Sequence, residues 1–134
     1  MDAVSVEGRA ASYLLQHKEA LADAVTKALY ADMPELQAKY GDAGREKCLE
    51  DQRYTIEHLV SAVDLMQPDM FASYVRWLDT LLRARNVSTR ELVRSLELME
   101  RVVHDHLAAH EADAVAACVN AGLATLGAGT ESGG

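Results

Sequence analysis

Residues 45–66 read REKCLEDQRYTIEHLVSAVDLM. Leu49, Tyr54, Ile56, Leu59, Val60, Val63 and Leu65 recur along it at helical spacing, which suits one buried face. The run holds neither glycine nor proline, and no alternation of period two survives along it. It predicts a long helix from Ala43, capped by Asp42, to about Met66, where Gln67-Pro68-Asp69 breaks it.

The same pattern extends in both directions. Upstream, Leu14, Leu15, Leu21, Val25, Leu29 and Tyr30 predict a helix from Ser12, as its cap, to Asp32. Met33-Pro34 punctuates it, and the short piece PELQAKY follows, closed by Gly41. Downstream, Phe71, Tyr74, Val75, Trp77, Leu78, Leu81 and Leu82 predict a helix over Met70–Arg85. After the link NVS, Ser88 or Thr89 starts another, with Glu91 in reach of a capping box on Ser88. A last helix is expected from about His110 to Leu126. Short links make successive helices pack against each other. The fold class expected is therefore all-α, a bundle of about five main helices over residues 12–126. Residues 1–11 read as a flexible N-terminus, and 127–134 as a flexible tail or linker.

Length and charge narrow the function. A chain of 134 residues is one domain. Hydrophobic residues make up 49% and charged residues 25%, an ordinary globular composition. A net charge of −8 argues against nucleic acid and against anionic membranes, both of which reward a positive field. No apolar run is long enough to span a bilayer, and MDAVSVEGRAAS lacks the features of a secretory signal. Two cysteines, Cys48 and Cys118, make no disulfide framework, so a cytoplasmic location is expected.

Helical spacing places Cys48, Asp51, Tyr54 and His58 along roughly one face, with Arg45 and Lys47 within a turn. A thiol, a carboxylate able to accept from ring N–H groups and cations able to clamp acidic tails suit a large conjugated tetrapyrrole. The same residues also fit a plain reading, with Cys48 in the core and Asp51 and His58 in solvent. Tyr74 and Trp77 are candidate walls for a flat ligand, or core residues. His104, His106 and His110 read as a polar surface, so no metal site is expected. There is no phosphate loop and no nucleophile elbow, and Cys48 and His58 lie about 15 Å apart along a helix. The chain reads as a binding module, not an enzyme.

Cys48-Leu-Glu-Asp51 followed by Tyr54 resembles the Cys-x-Arg-Asp and tyrosine of the phycobiliprotein branch of the globin-like fold. The order YADMPEL, turn, GREKCLEDQRYTIEHLVSAV, proline break and aromatic-bearing helix is similar to that of allophycocyanin. The chain also resembles globin-like modules found beside cobalamin-binding domains in bacterial photoreceptors that use biliverdin. The resemblance implies a bilin ligand, biliverdin or a relative, serving a photosensory or pigment-binding role. It implies Cys48 as the thioether-forming residue, Asp51 as the carboxylate on the inner pyrrole nitrogens and Tyr54 in the pocket. Two family arginines are Glu50 and Glu57 here, so the cations for the propionates are sought at Arg45, Lys47 or Arg53, and attachment is covalent or non-covalent. The alternatives are a ligand-free dimerisation module and a haem sensor. For haem, the helix over 70–85 lacks the proximal histidine of a globin, and His58 stands on the preceding helix. A homodimer is expected, with Leu78, Leu81, Leu82, Leu96, Met99 and Val103 offering apolar surface beyond one core stripe. An output domain, attached or associated, is the other expected partner.

Overall fold

The computed structural model describes residues 5–127, and the expectations for 1–4 and for 128–134 lie outside the described residues. Six helices occur among those described. They are α1 (Val6–Gln16), α2 (Lys18–Asp32), α3 (Glu35–Asp64), α4 (Pro68–Ala84), α5 (Thr89–His104) and α6 (Ala109–Thr125). No strand forms among them, as the all-α reading requires.

The chain is helical well before Ser12. Ser5 is the cap, its hydroxyl accepting from the Gly8 N–H at 2.9 Å, and Ala10 and Ala11 are buried. Residues 6–11 are thus structural rather than flexible. The single helix expected over 12–32 is two, parted at His17, whose φ of −108° and ψ of 18° leave the helical range. The break is shallow: the His17 N–H still reaches the Tyr13 carbonyl, and the Leu21 N–H reaches the His17 carbonyl. It lets α1 pack on α3 and α6 while α2 packs on α3 and α5. Neither glycine nor proline marks it, so local sequence carries no sign of it.

Met33-Pro34 ends α2 and opens α3 as expected. PELQAKY then forms the first turns of α3, joined to the long Cys48 segment through Gly41 at φ 70°, ψ −173°. That positive φ is open to glycine at little cost and lets the two parts of α3 diverge. Asp42 makes no side-chain cap; its carboxylate takes the Gln37 amide at 2.9 Å. Ser88 caps α5 by accepting from the Glu91 N–H at 3.1 Å.

Two apolar clusters hold the bundle. The larger is built on Leu14, Ile56, Leu59, Phe71, Leu96 and Met99, all essentially without solvent contact. The smaller gathers Leu29, Tyr30, Met33, Leu36 and Leu98, with Cys48 packed against it. Leu78, Leu82, Leu96, Met99 and Val103 are buried in the chain's own core, and Leu81 is packed against it. The apolar surface assigned to a dimer is therefore spent inside the subunit. The large apolar side chains left exposed are others: Leu15, Tyr54, Leu65, Met66, Met70 and Trp77.

Candidate functional site

A cavity of about 200 Å³ opens at the seam between the two clusters, where α3 faces α4 and α5. Leu29 and Leu36 line it from the smaller cluster, and Leu78, Leu82, Leu92 and Leu96 from the larger. Four of the five polar residues buried among those described, Gln52, Thr55, Glu91 and Ser95, also line it. Buried polar groups need partners, and these find them around the cavity. The Gln52 amide donates to Ser95 Oγ at 2.8 Å and makes a weaker contact with Cys48 Sγ at 3.7 Å. Cys48, Asp51, Gln52 and Thr55 fall at steps of three and four along α3, so one helical face presents all of them.

Cys48 and Asp51 carry the chemistry. Burial pushes the Cys48 thiol above its ordinary value, against a smaller opposing effect of the Gln52 hydrogen bond. The sulfur is therefore held as a thiol at neutral pH. Burial also raises the Asp51 carboxyl, although Lys47 and Arg85 both stabilise its charge. Lys47 Nζ lies 3.6 Å from one carboxylate oxygen and Arg85 Nη1 lies 3.4 Å from the other. These are loose contacts, longer than the usual charge-assisted bond of about 2.7–2.9 Å.

A second carboxylate closes the far side. Glu91 accepts from Tyr40 Oη at 2.6 Å, Lys39 Nζ at 2.9 Å and Ser88 Oγ at 3.1 Å. Its carboxylate thus turns to these groups rather than to the backbone of a full capping box. Burial opposes its charge, but the three hydrogen bonds outweigh burial and hold its carboxyl below the ordinary value. The network ties the first turns of α3 to the start of α5 and so fixes one wall of the cavity.

The other residues singled out from the sequence lie in different places. Lys47 lines the cavity. Arg45 does not; its guanidinium sits over the Tyr30 ring at 4.7 Å, and it lines a separate acidic depression with Asp23, Asp42 and Glu46. Arg53 pairs with Glu19 of α2 at 2.6 Å, away from the cavity. Glu57 pairs with Lys18 at 2.6 Å, so this acidic residue fastens α2 to α3. Tyr54 and His58 are exposed on the flank of α3. The His58 ring stacks on Tyr74 with centroids 3.9 Å apart, and Trp77, 58% exposed, stands 5.9 Å beyond Tyr74. Tyr74 is buried behind Thr55, their hydroxyl oxygens 3.0 Å apart. The structure thus brings Cys48, Asp51 and Lys47 to one cavity, sets His58, Tyr74 and Trp77 as an aromatic shelf along the α3–α4 flank, and leaves Tyr54 exposed on α3. Gln52, Thr55, Ser95 and Arg85 were not singled out from the sequence. The first two follow from helical spacing off Cys48, whereas Ser95 and Arg85 arrive from other helices and carry no local signal.

The residues fit a linear tetrapyrrole in chemistry and only partly in size. A sulfur, a half-buried carboxylate and apolar walls face one space, but about 200 Å³ is below the roughly 300–1,000 Å³ of typical ligand pockets. Residues 4–126 match the family model described as phycobilisome protein. No curated protein and no solved structure matches the chain. The match covers almost the whole described bundle and shows that the chain belongs to the phycobilisome protein family, an all-helical globin-like fold whose function at family level is to carry bilin pigment.

Proposed function

We propose that this protein binds a biliverdin-type bilin in the cavity between α3, α4 and α5 and serves as a photosensory or pigment-binding module. The observation that carries the reading is the shared face of Cys48 and Asp51 on a leucine-walled cavity. Asp51 is the acceptor for ring N–H groups, and Cys48 Sγ is the attachment atom where the link is covalent. The cavity takes part of the ligand, and the exposed rings of His58 and Trp77, which pack on buried Tyr74, offer aromatic faces to the rest. The pigment supplies the colour and the photochemistry; the protein supplies orientation, a counter-charge and a dry wall.

The small cavity favours one other reading, a ligand-free interaction module that pairs with a second copy or an output domain. Mixing the purified protein with biliverdin and desalting it separates the two. A sharpened, red-shifted band that travels with the protein supports the bilin site. Its survival in Cys48→Ala means non-covalent binding, and its loss means attachment at Cys48. The broad spectrum of free pigment selects the ligand-free module.

A further inference from the structure

The positions at which a family arginine is expected are acidic here, and both are engaged: Glu50 with Lys47 at 3.0 Å and Glu57 with Lys18 at 2.6 Å. The nearby cations are also committed. Arg53 holds Glu19, Lys39 holds Glu91, and Arg45 lies on Tyr30. Arg85, at the end of α4, differs. It lines the cavity with its side chain 34% exposed. Among the described residues its guanidinium makes one hydrogen bond, the 3.4 Å contact to Asp51. The rest of a five-donor planar fork is unspent.

The backbone that carries Arg85 is well fixed. The Arg85 and Val87 N–H groups both reach the Leu82 carbonyl at 2.9 Å, and the Asn86 N–H reaches Arg83 at 3.1 Å. Asn86 takes φ 66°, a left-handed conformation that asparagine tolerates, and so turns the chain just after Arg85.

We propose that Arg85 is the carboxylate-recognising residue of the cavity: it turns from Asp51 to an acidic tail of the ligand, and Asp51, so released, accepts the ligand's N–H groups. A loose, half-solvated pair contributes little, whereas a bidentate Arg–carboxylate pair is among the stronger hydrogen-bonded contacts. The exchange therefore favours the bound state and selects free acids over esters. This inference rests on the bilin reading above.

Trp77, the chain's only tryptophan, stands on α4 about 12 Å along the helix from Arg85, so quenching of its fluorescence reports binding. Wild type, Arg85→Met, Arg85→Lys and Lys47→Met are titrated with biliverdin and with its dimethyl ester. Wild type is expected to bind the acid about 10- to 100-fold more tightly than the ester. Arg85→Met closes that gap while keeping its ester affinity, which also shows that it folds, and Arg85→Lys restores part of the gap. A gap that persists in Arg85→Met, a gap closed by Lys47→Met alone, or loss of ester as well as acid binding in Arg85→Met overturns the assignment and leaves the bilin reading standing. Failure of wild type to bind either compound overturns both.

Discussion

The hydroxyl oxygens of Thr55 and Tyr74 lie 3.0 Å apart at the junction between the cavity and the aromatic shelf. Thr55 Oγ1 also donates to the Asp51 carbonyl at 2.9 Å. A threonine hydroxyl has one proton, so Tyr74 is the donor in the pair. Thr55→Val leaves a buried phenol without an acceptor and should cost about 1–3 kcal/mol. Tyr74→Phe removes the donor and leaves Thr55 its carbonyl partner, so it should cost less. Urea unfolding of both single variants and the double variant measures the coupling; equal costs for the two singles would remove the asymmetry.

At Gly122, α6 packs closely on Phe71 and Val75 of α4. A Cβ there would lie 2.9 Å from Val75 Cγ2 and 3.1 Å from the Phe71 ring, and both neighbours are fully buried. Neither can retreat without disturbing the core. Gly122→Ala should therefore destabilise by about 1–3 kcal/mol, although alanine favours helix more than glycine does. A lower urea midpoint at unchanged slope is the expected result; a higher midpoint would mean that propensity wins over the clash.

Glu91 and Asp51 should act in opposite senses on acid stability. The Glu91 carboxyl lies below its ordinary value of 4.5, so its contribution is present above about that pH and is lost as pH falls through the lower folded value. The Asp51 carboxyl lies above 3.8, so its charge opposes folding at neutral pH and acidification relieves that cost. Glu91→Gln should flatten the fall in stability below pH 4.5, and Asp51→Asn should steepen it. Chemical denaturation from pH 7 to pH 3 reads both slopes.

The two thiols should be distinguishable. Cys118 is 2% exposed in the larger core cluster, whereas Cys48 is only partly buried at the cavity. Iodoacetamide on the native protein should label Cys48 first, and more slowly than a free cysteine because burial favours the thiol. Peptide mass mapping checks the site, and biliverdin should slow the reaction further.

Much of the fold could be read from local pattern. Met33-Pro34, Gln67-Pro68 and the cap at Ser88 fall where sequence places them, because each is set by backbone chemistry of its own residues. The break at His17 could not be read, since it arises from α1 and α2 packing on different neighbours. The site divides in the same way. Cys48, Asp51 and Lys47 share a face of one helix and were legible from spacing. Ser95 and Arg85 reach the cavity from α5 and the end of α4, which only the tertiary arrangement decides. Arg53 and Arg45 were candidates by proximity in sequence, but partners on α2 draw both away from the cavity: Arg53 to Glu19 and Arg45 to the Tyr30 ring.

If the bilin lies where Cys48 and Asp51 face the same cavity, the Asp51 carboxylate is the acceptor it meets. The visible spectrum and retained pigment of desalted, biliverdin-treated wild type and Asp51→Asn test this most directly, with far-UV circular dichroism showing that both are folded. The wild type should show a narrow red-shifted band, and Asp51→Asn should bind about 10- to 100-fold more weakly and lose that band. An identical band and identical retention in Asp51→Asn would place the pigment elsewhere and contradict the assignment.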